Sequence, residues 1–488
     1  MIETKLYLAE DVTPDKSAVK ELREFLRIED TVEGLKQADG FMRGDCKVDK
    51  VIVTPDFHKG AGIPIGTVAL TDGFIIPQAM GNDVNCGMRS YITDLTEDEI
   101  LRNQKEVITR LRYVFFEGGR QIPMTGIQRE AMFRNGLTGL LETHKEAEGS
   151  GIWSYYMRER EEENLRRTAF LGSLAACGME GLLDFIGESR TATYDEQIGT
   201  IGGGNHFVEI QRVAEIYDGQ TANAWGLRKG AVVFMIHSGS LMIGHHTGLL
   251  NKGICKSIYP KDRKHPANEI YILPEGEPFR KEWDRVWSAT YNAANFGFAN
   301  RLFLGLMLQK ALTEVLHEFD MKLIYDSPHN FIWNKSVGGR THYLHRKGAC
   351  SAGGFEEMAD TPYAYYGEPV MIPGSMGSSS YMFCGKGNPD SLWSASHGAG
   401  RKMSRGEAIH ESDRLFQEFM ERFHIVTPID PDRADLRGRA DILAKWRETI
   451  KAEAPYAYKD ISEIARVHID HDMAGPVARM EPVMTIKA

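Results

Sequence analysis

Several things are scarce in this chain, and each scarcity excludes a class. Its 488 residues include only six cysteines, Cys46, Cys86, Cys177, Cys255, Cys350 and Cys384, and no two have the C-x-x-C spacing. A disulfide scaffold does not suit so large and thinly supplied a chain, so a cysteine that matters is a thiolate ligand or a nucleophile. No apolar run approaches the ~20 residues needed to span a bilayer. The longest obvious one, Ala231 to Ile236, has the length of a buried strand. The opening residues lack the basic start and apolar stretch of a signal peptide. A cytoplasmic protein without membrane contact is therefore expected. Positive charge is also short, with a formal net charge of −10. That argues against a broad nucleic-acid surface, though not against a local basic patch gripping one end of a strand. Candidate patches are Arg110–Arg112, Arg166–Arg167, Lys261–Lys264 and Arg346–Lys347, each more simply read as solvated surface charge. Internal repeats and low-complexity linkers are absent.

What is present is ordinary globular material: 42% hydrophobic and 26% charged residues. Residues 17–38 mix charged and apolar positions at helical spacing. From 51 to 90, β-branched runs (Val51–Val53, Ile63–Leu70, Phe74–Ile76) broken by glycines read as short strands with tight turns. A charged, helix-rich stretch occupies roughly residues 96–190. Strand signals return at Ala231–Ile236 and Lys322–Tyr325, and Trp283 to Phe319 reads as one long helix or a broken pair. Residues 365–400 are rich in glycine and serine. The region 406–455 reads as helical, with breaks at Pro428 and Pro431. Motifs occur in both halves, so one interleaved catalytic domain over 1–488 is expected, of α+β class.

Two constellations carry chemistry. In Gly81–Gly87, Asp83 and Cys86 stand three apart in a turn, so carboxylate and thiolate can reach one point. Such a hard–soft pair can serve two adjacent divalent ions with sulfur bridging, and Cys86 also fits a buried structural cysteine. His206 follows a triple glycine and opens a strand-like segment, while His237 and His329 each end an apolar strand. A strand end fixes a ligand rigidly and leaves it open, although any one of these could be a core histidine. The second constellation begins with Ile372–Tyr381, a run of small hydroxyl residues suited to phosphate oxygens or to a surface loop. Next comes Ser396-His397-Gly398-Ala399-Gly400-Arg401. There an accessible imidazole can attack phosphorus to form a phosphoramidate, and Arg401 can offset phosphate charge.

Taken together these motifs resemble the RtcB family of RNA ligases. The resemblance is carried by Asp56-Phe57-His58-Lys59-Gly60, Asp83-Val84-Asn85-Cys86-Gly87, Gly203-Gly204-Asn205-His206-Phe207-Val208-Glu209, His237-Ser238-Gly239-Ser240, Ala299-Asn300-Arg301, His329-Asn330, His345-Arg346-Lys347-Gly348-Ala349, Pro373-Gly374-Ser375-Met376-Gly377, His397–Arg401 and Lys487. It implies an RtcB-like domain with mixed sheets, flanking helices and a central metal and nucleotide cleft. It implies two manganese ions held by Asp83, Cys86, His206, His237 and His329, with Cys86 bridging. His397 would take guanylate from GTP. Asn205 would touch the phosphate, Glu209 and Lys487 would read guanine, and Ser375, Gly398, Ala399 and Gly400 would line the nucleotide pocket. The substrate implied is RNA with a 2′,3′-cyclic phosphate or 3′-phosphate end and a 5′-hydroxyl end, in RNA repair or tRNA splicing, with an archease-like activator as a partner.

Two positions depart from the family pattern. Leu241 and Ser351 stand where arginines are usual, which removes two cations from the expected RNA path and suggests a specialised repair enzyme. Two other readings compete. A metal-dependent RNA-end phosphodiesterase or phosphatase accounts for the ligands but gives no role to His397 or Lys487. A non-catalytic RNA-binding protein fits neither the intact ligand set nor the acidic balance.

Overall fold

A computed structural model describes residues 2–9, 14–187, 190–194, 196–421 and 424–488. Its fold is α+β, as expected, and is organised by two large sheets. The bigger runs Met321–Pro328, Gly87–Thr96, Ala231–Ser238, Phe207–Ile216, Ala474–Ile486, Ser380–Gly385, Pro369–Ile372, each antiparallel to the next. His424–Val426 joins Ala474–Ile486 in parallel. The second sheet runs Glu3–Leu6, Lys47–His58, Ile65–Asp72, Arg340–Lys347, Asn330–Val337. One chain segment feeds both: Pro328 pairs with Gly87 in the first sheet and Asn330 with Lys347 in the second, leaving His329 alone at the crossing.

The segment 283–319 resolves into a single helix, Arg280–Thr313, of 34 residues. From Asn292 to Leu312 it is buried without a break, because apolar residues surround its axis instead of forming one stripe. It packs on Ala231–Ser238 and on the helices Gln104–Phe116, Gly126–Thr143 and Leu241–Ser257. Two helices of the charged stretch, Gln104–Phe116 and Gly126–Thr143, thus pack on this helix. Residues 188 and 189 of that stretch lie outside the described set. Thr125 and Gln128 form a capping box that starts Gly126–Thr143. Among the described residues, no helix is long and apolar enough to cross a membrane.

Candidate active site

The ligand candidates converge because four neighbouring strands of the larger sheet end at one edge. Gly87 pairs with both Ser238 and Pro328, and Phe207 pairs with His237. Residues just outside or at those strand ends, Cys86, His206, His237 and His329, are thereby forced together. Asp83 joins them through a tight turn in which the Cys86 N–H donates to the Asp83 carbonyl at 3.0 Å. Gly239 lets the next loop close over this turn, since a Cβ there would stand 2.6 Å from Asp83 Oδ1. The Leu241 N–H donates to the same oxygen at 2.8 Å.

The long helix locks this edge from behind. Arg301, fully buried, donates to the carbonyls of Asn85 (2.6 Å) and Ser238 (2.9 Å), to Asn85 Oδ1 (2.9 Å) and to Asp326 (2.9 Å). Asn300 donates to Ser238 Oγ at 3.0 Å and to the Gly239 carbonyl at 3.3 Å. Three ligand-bearing segments thus hang on two adjacent helix residues, a pairing the sequence motif contains but does not explain.

Within the cluster, Cys86 Sγ lies 3.1 Å from His206 Nε2 and 3.3 Å from His237 Nε2. His237 Nε2 is 3.3 Å from His329 Nε2, and His206 Nε2 is 3.0 Å from Asp83 Oδ2. The donors fall into two groups, Cys86–His237–His329 and Asp83–Cys86–His206, which share the sulfur. Burial holds His237 and His329 well below the usual imidazole range, so both are neutral. A sulfur and imidazole nitrogens brought this close, with a carboxylate beside them, place several ligand atoms around shared points. This donor set therefore fits two divalent ions sharing a thiolate.

Beside the cluster stands His397, its ring centroid 4.7 Å from that of His329. His397 Nδ1 is 2.5 Å from Asp56 Oδ2, and its backbone N–H reaches the same oxygen at 3.2 Å. Burial pushes the Asp56 carboxyl up, but the charge and hydrogen bonds of His397, with the Thr54 hydroxyl at 2.5 Å, reverse this and hold it at about 2. An ionised carboxylate can only accept, so Nδ1 carries a proton and Nε2 is the ring nitrogen left for the cavity. Gly400, with φ of +71°, brings the His397 loop against the Asp56 backbone, where a Cβ would fall 2.3 Å from the carbonyl oxygen. Sequence reading gives Asp56 no role; 341 residues separate the pair and no local pattern announces it.

One cavity of about 690 Å³ is lined by Asp83, Cys86, His206, His237, His329, His397, Asn205, Ser375, Gly398, Ala399, Gly400 and Lys487. Lys487 donates to the carbonyls of Gly204 and His206, and burial lowers it to about 8. Glu209 is placed differently. It is buried outside the lining, bonded by Thr485 and Gln211 and by the Gly377 N–H, and burial pushes it up to about 7. Arg401 lines the cavity too, and it is bound to Glu453 at 3.0 Å, Tyr458 at 3.2 Å and the Ala452 carbonyl at 2.8 Å. The sequence reading missed Glu453, which gathers Arg401 and Arg405; Lys347, offered there as part of a basic patch, lines the cavity and donates to the Ile63 carbonyl at 2.7 Å. Leu241 stays against the cluster, close to Gly202.

The comparisons with known proteins agree with this geometry. The family model of the tRNA-splicing ligase RtcB matches residues 37–488. The chain is 32% identical over 459 residues to the tRNA-splicing ligase RtcB of Thermococcus kodakarensis, covering 89% of this chain and 87% of that protein. It is 33% identical over 461 residues to the protein of the same name from Aeropyrum pernix, again with 89% and 87% covered. The RNA-splicing ligase RtcB of Mycobacterium tuberculosis is 29% identical over 451 residues, covering 89% of this chain and 95% of that one. With nearly the whole length matched and the strand-end cluster in place, the chain belongs to the RtcB family.

Proposed function

We propose that the chain is a GTP- and manganese-dependent RNA ligase. It joins a 2′,3′-cyclic phosphate or 3′-phosphate end to a 5′-hydroxyl end through guanylate carried on His397. The observation that supports this most is the Asp56–His397 pair beside the thiolate-centred cluster. A hydrolase needs the metals but has no use for an imidazole tuned as a nucleophile and facing the same cavity.

Asp56 holds the proton on Nδ1, so His397 Nε2 attacks the α-phosphorus of GTP; the N–P bond forms and pyrophosphate leaves. Two manganese ions bound at the cluster supply charge neutralisation for the phosphates, and the soft thiolate favours manganese over magnesium. Asn205, exposed at the cavity wall, contacts the phosphate, and Ser375 with the Gly398–Gly400 turn lines the nucleotide. Lys487 and Glu209 are assigned to guanine. For Glu209 that role requires the turn carrying Gly377 to shift, because the Gly377 N–H covers its carboxylate. An RNA 3′-phosphate, formed first from a cyclic phosphate where one is present, takes the guanylyl group from His397. The 5′-hydroxyl oxygen then attacks the activated phosphorus and GMP departs. The cytoplasm is the expected setting, and an archease-like activator is a partner to include in assays.

Labelled GTP tests the reading, with and without manganese. The parent chain takes up one guanylate in an acid-labile, alkali-stable adduct, and His397→Ala folds but takes up none. Undiminished labelling of His397→Ala, or release of label with no covalent adduct in the parent, sinks the proposal and favours the phosphodiesterase.

A further inference from the structure

A second cavity of about 440 Å³ lies behind the nucleophile loop. It is reached from the other face of the strand Arg340–Lys347: Lys347 lines the catalytic cavity, whereas its neighbour Arg346 lines the second. Alternation of side chains along a strand requires this.

The chemistry of this cavity is unfinished. Arg346 is 2% exposed. Its Nε donates to Ser394 Oγ at 2.9 Å and its Nη2 to the Trp393 carbonyl at 2.8 Å, yet its buried Nη1 has no partner. Trp333 Nε1, on another lining side chain, is likewise buried and unpartnered. Of the three acids in the lining, Asp360 is exposed and the other two are engaged. Glu368 accepts from Tyr325 at 3.0 Å and from the Gly353 N–H at 2.8 Å, and Glu357 pairs with Lys335 at 2.8 Å. What remains is two donors with no acceptor, a costly state that a ligand's acceptor oxygens would relieve once the two side chains turn toward the cavity that they line. The exposed Arg166 adds positive charge to the lining.

The remaining walls are flat. Phe170, Trp333 and Trp393 all line the cavity, with Phe170 and Trp333 centroids 4.3 Å apart. Phe170, Leu171 and Trp393 are held at φ of +56°, +56° and +50°. Among the described residues these are three of nine non-glycine positions in left-handed conformation, and all three line this one cavity. Such strain is costly and gathers where a surface is built for use.

We propose that this cavity binds a single nucleotide, with acceptor oxygens on Arg346 Nη1 and Trp333 Nε1 and the base against the aromatic walls. Guanidinium and indole N–H suit phosphate or carbonyl oxygens, and aromatic rings accept any base. The nucleotide comes either free or as one residue of an RNA strand; the second source rests on the ligase reading above. Its place is significant because Arg346 holds Ser394 and Trp393, and the strand Ser394–Ser396 leads directly into His397.

Photolabelling tests this on the full chain with a chelator present and no GTP. The probes are 8-azidoadenosine 5′-monophosphate and a hexaadenylate carrying one 8-azidoadenine. Label is expected on peptides containing Trp333 or Trp393. Labelling by the monophosphate identifies a free nucleotide, and labelling by the oligonucleotide alone identifies the RNA strand. Leu171→Trp, at an exposed position of the cavity wall, narrows the cavity and removes the label while leaving guanylylation from GTP unchanged. Trp333→Phe keeps the ring, loses the donor and weakens labelling about tenfold, as one lost hydrogen bond predicts. Label confined to peptides of the catalytic cavity, or undiminished in both variants, overturns the proposal. Because the labelling needs no GTP, a chain that fails to guanylylate refutes the ligase reading and leaves this one standing.

Discussion

The two ends of the catalytic cavity are built on opposite electrostatic plans. At the metal end, Asp83, Cys86, His206, His237 and His329 bring their ligand atoms to within about 3 Å of one another, with no lysine or arginine among them. At the nucleotide end each cation or imidazole already has a partner: His397 has Asp56, Arg401 and Arg405 have Glu453, and Lys487 has two carbonyls. One end gathers atoms that could hold an ion. The other is set before any ligand arrives. A site so divided can hold its nucleophile in register whatever its metal load, which makes the two ends separable by mutation.

The most severe break of that contrast is Cys86→Ser. Removing the shared sulfur is expected to lower metal content from two ions per chain and to bring guanylylation below detection, with the fold intact by circular dichroism. Two ions and full labelling in this variant would make Cys86 a plain core residue. Next is Asp56→Asn, which leaves the metal end whole but no longer dictates the tautomer of His397. Guanylylation should fall about 10²–10⁴-fold at unchanged metal stoichiometry. A parallel loss of metal would show that the ends are not separable.

A smaller effect belongs to Glu209, whose carboxyl burial pushes up to about 7. The folded chain then keeps a proton that the unfolded chain, near 4.3, gives up. The stabilisation is full below the unfolded value and is lost as pH rises through about 7. Its size is about 4 kcal/mol. Parent Tm should therefore fall from pH 5 to pH 8 more steeply than that of Glu209→Gln; parallel profiles would place the titration elsewhere. The smallest change sits on the seam between the ends. Leu241→Arg restores a charged fork, and single-turnover sealing of a generic RNA stem by pre-guanylylated enzyme should improve about ten- to a hundredfold. The GTP step should not move. Fast sealing by the parent, unimproved by arginine, would mean that Leu241 does not tune the substrate.

How far the sequence reached follows the same division. The metal end was legible because each ligand sits in its own short signature at a strand end, and strand pairing does the rest. The nucleotide end was legible only in its loops. Its controlling contacts, Asp56 to His397 and Glu453 to Arg401, join segments far apart and leave no local trace. The strand Arg340–Lys347 escaped notice because a central strand with His342, His345, Arg346 and Lys347 buried carries no alternation of apolar and polar residues. Ala474–Ile486 was hidden by Pro476 and Pro482, which cannot donate to a ladder; irregularities in its pairing fall close to both. Helix Arg280–Thr313 stood out in sequence, but its task of holding ligand loops through Asn300 and Arg301 did not.

The strand Arg340–Lys347 is a party wall. Arg346 belongs to the room on one side and Lys347 to the room on the other. A slip of one residue along its neighbours would exchange the two cations and misfurnish both rooms at once. Insertions and deletions in this strand are therefore closed to evolution as a means of adjusting either cavity. Change has to come by substitution in the surrounding walls, as at Ser351 in the second room.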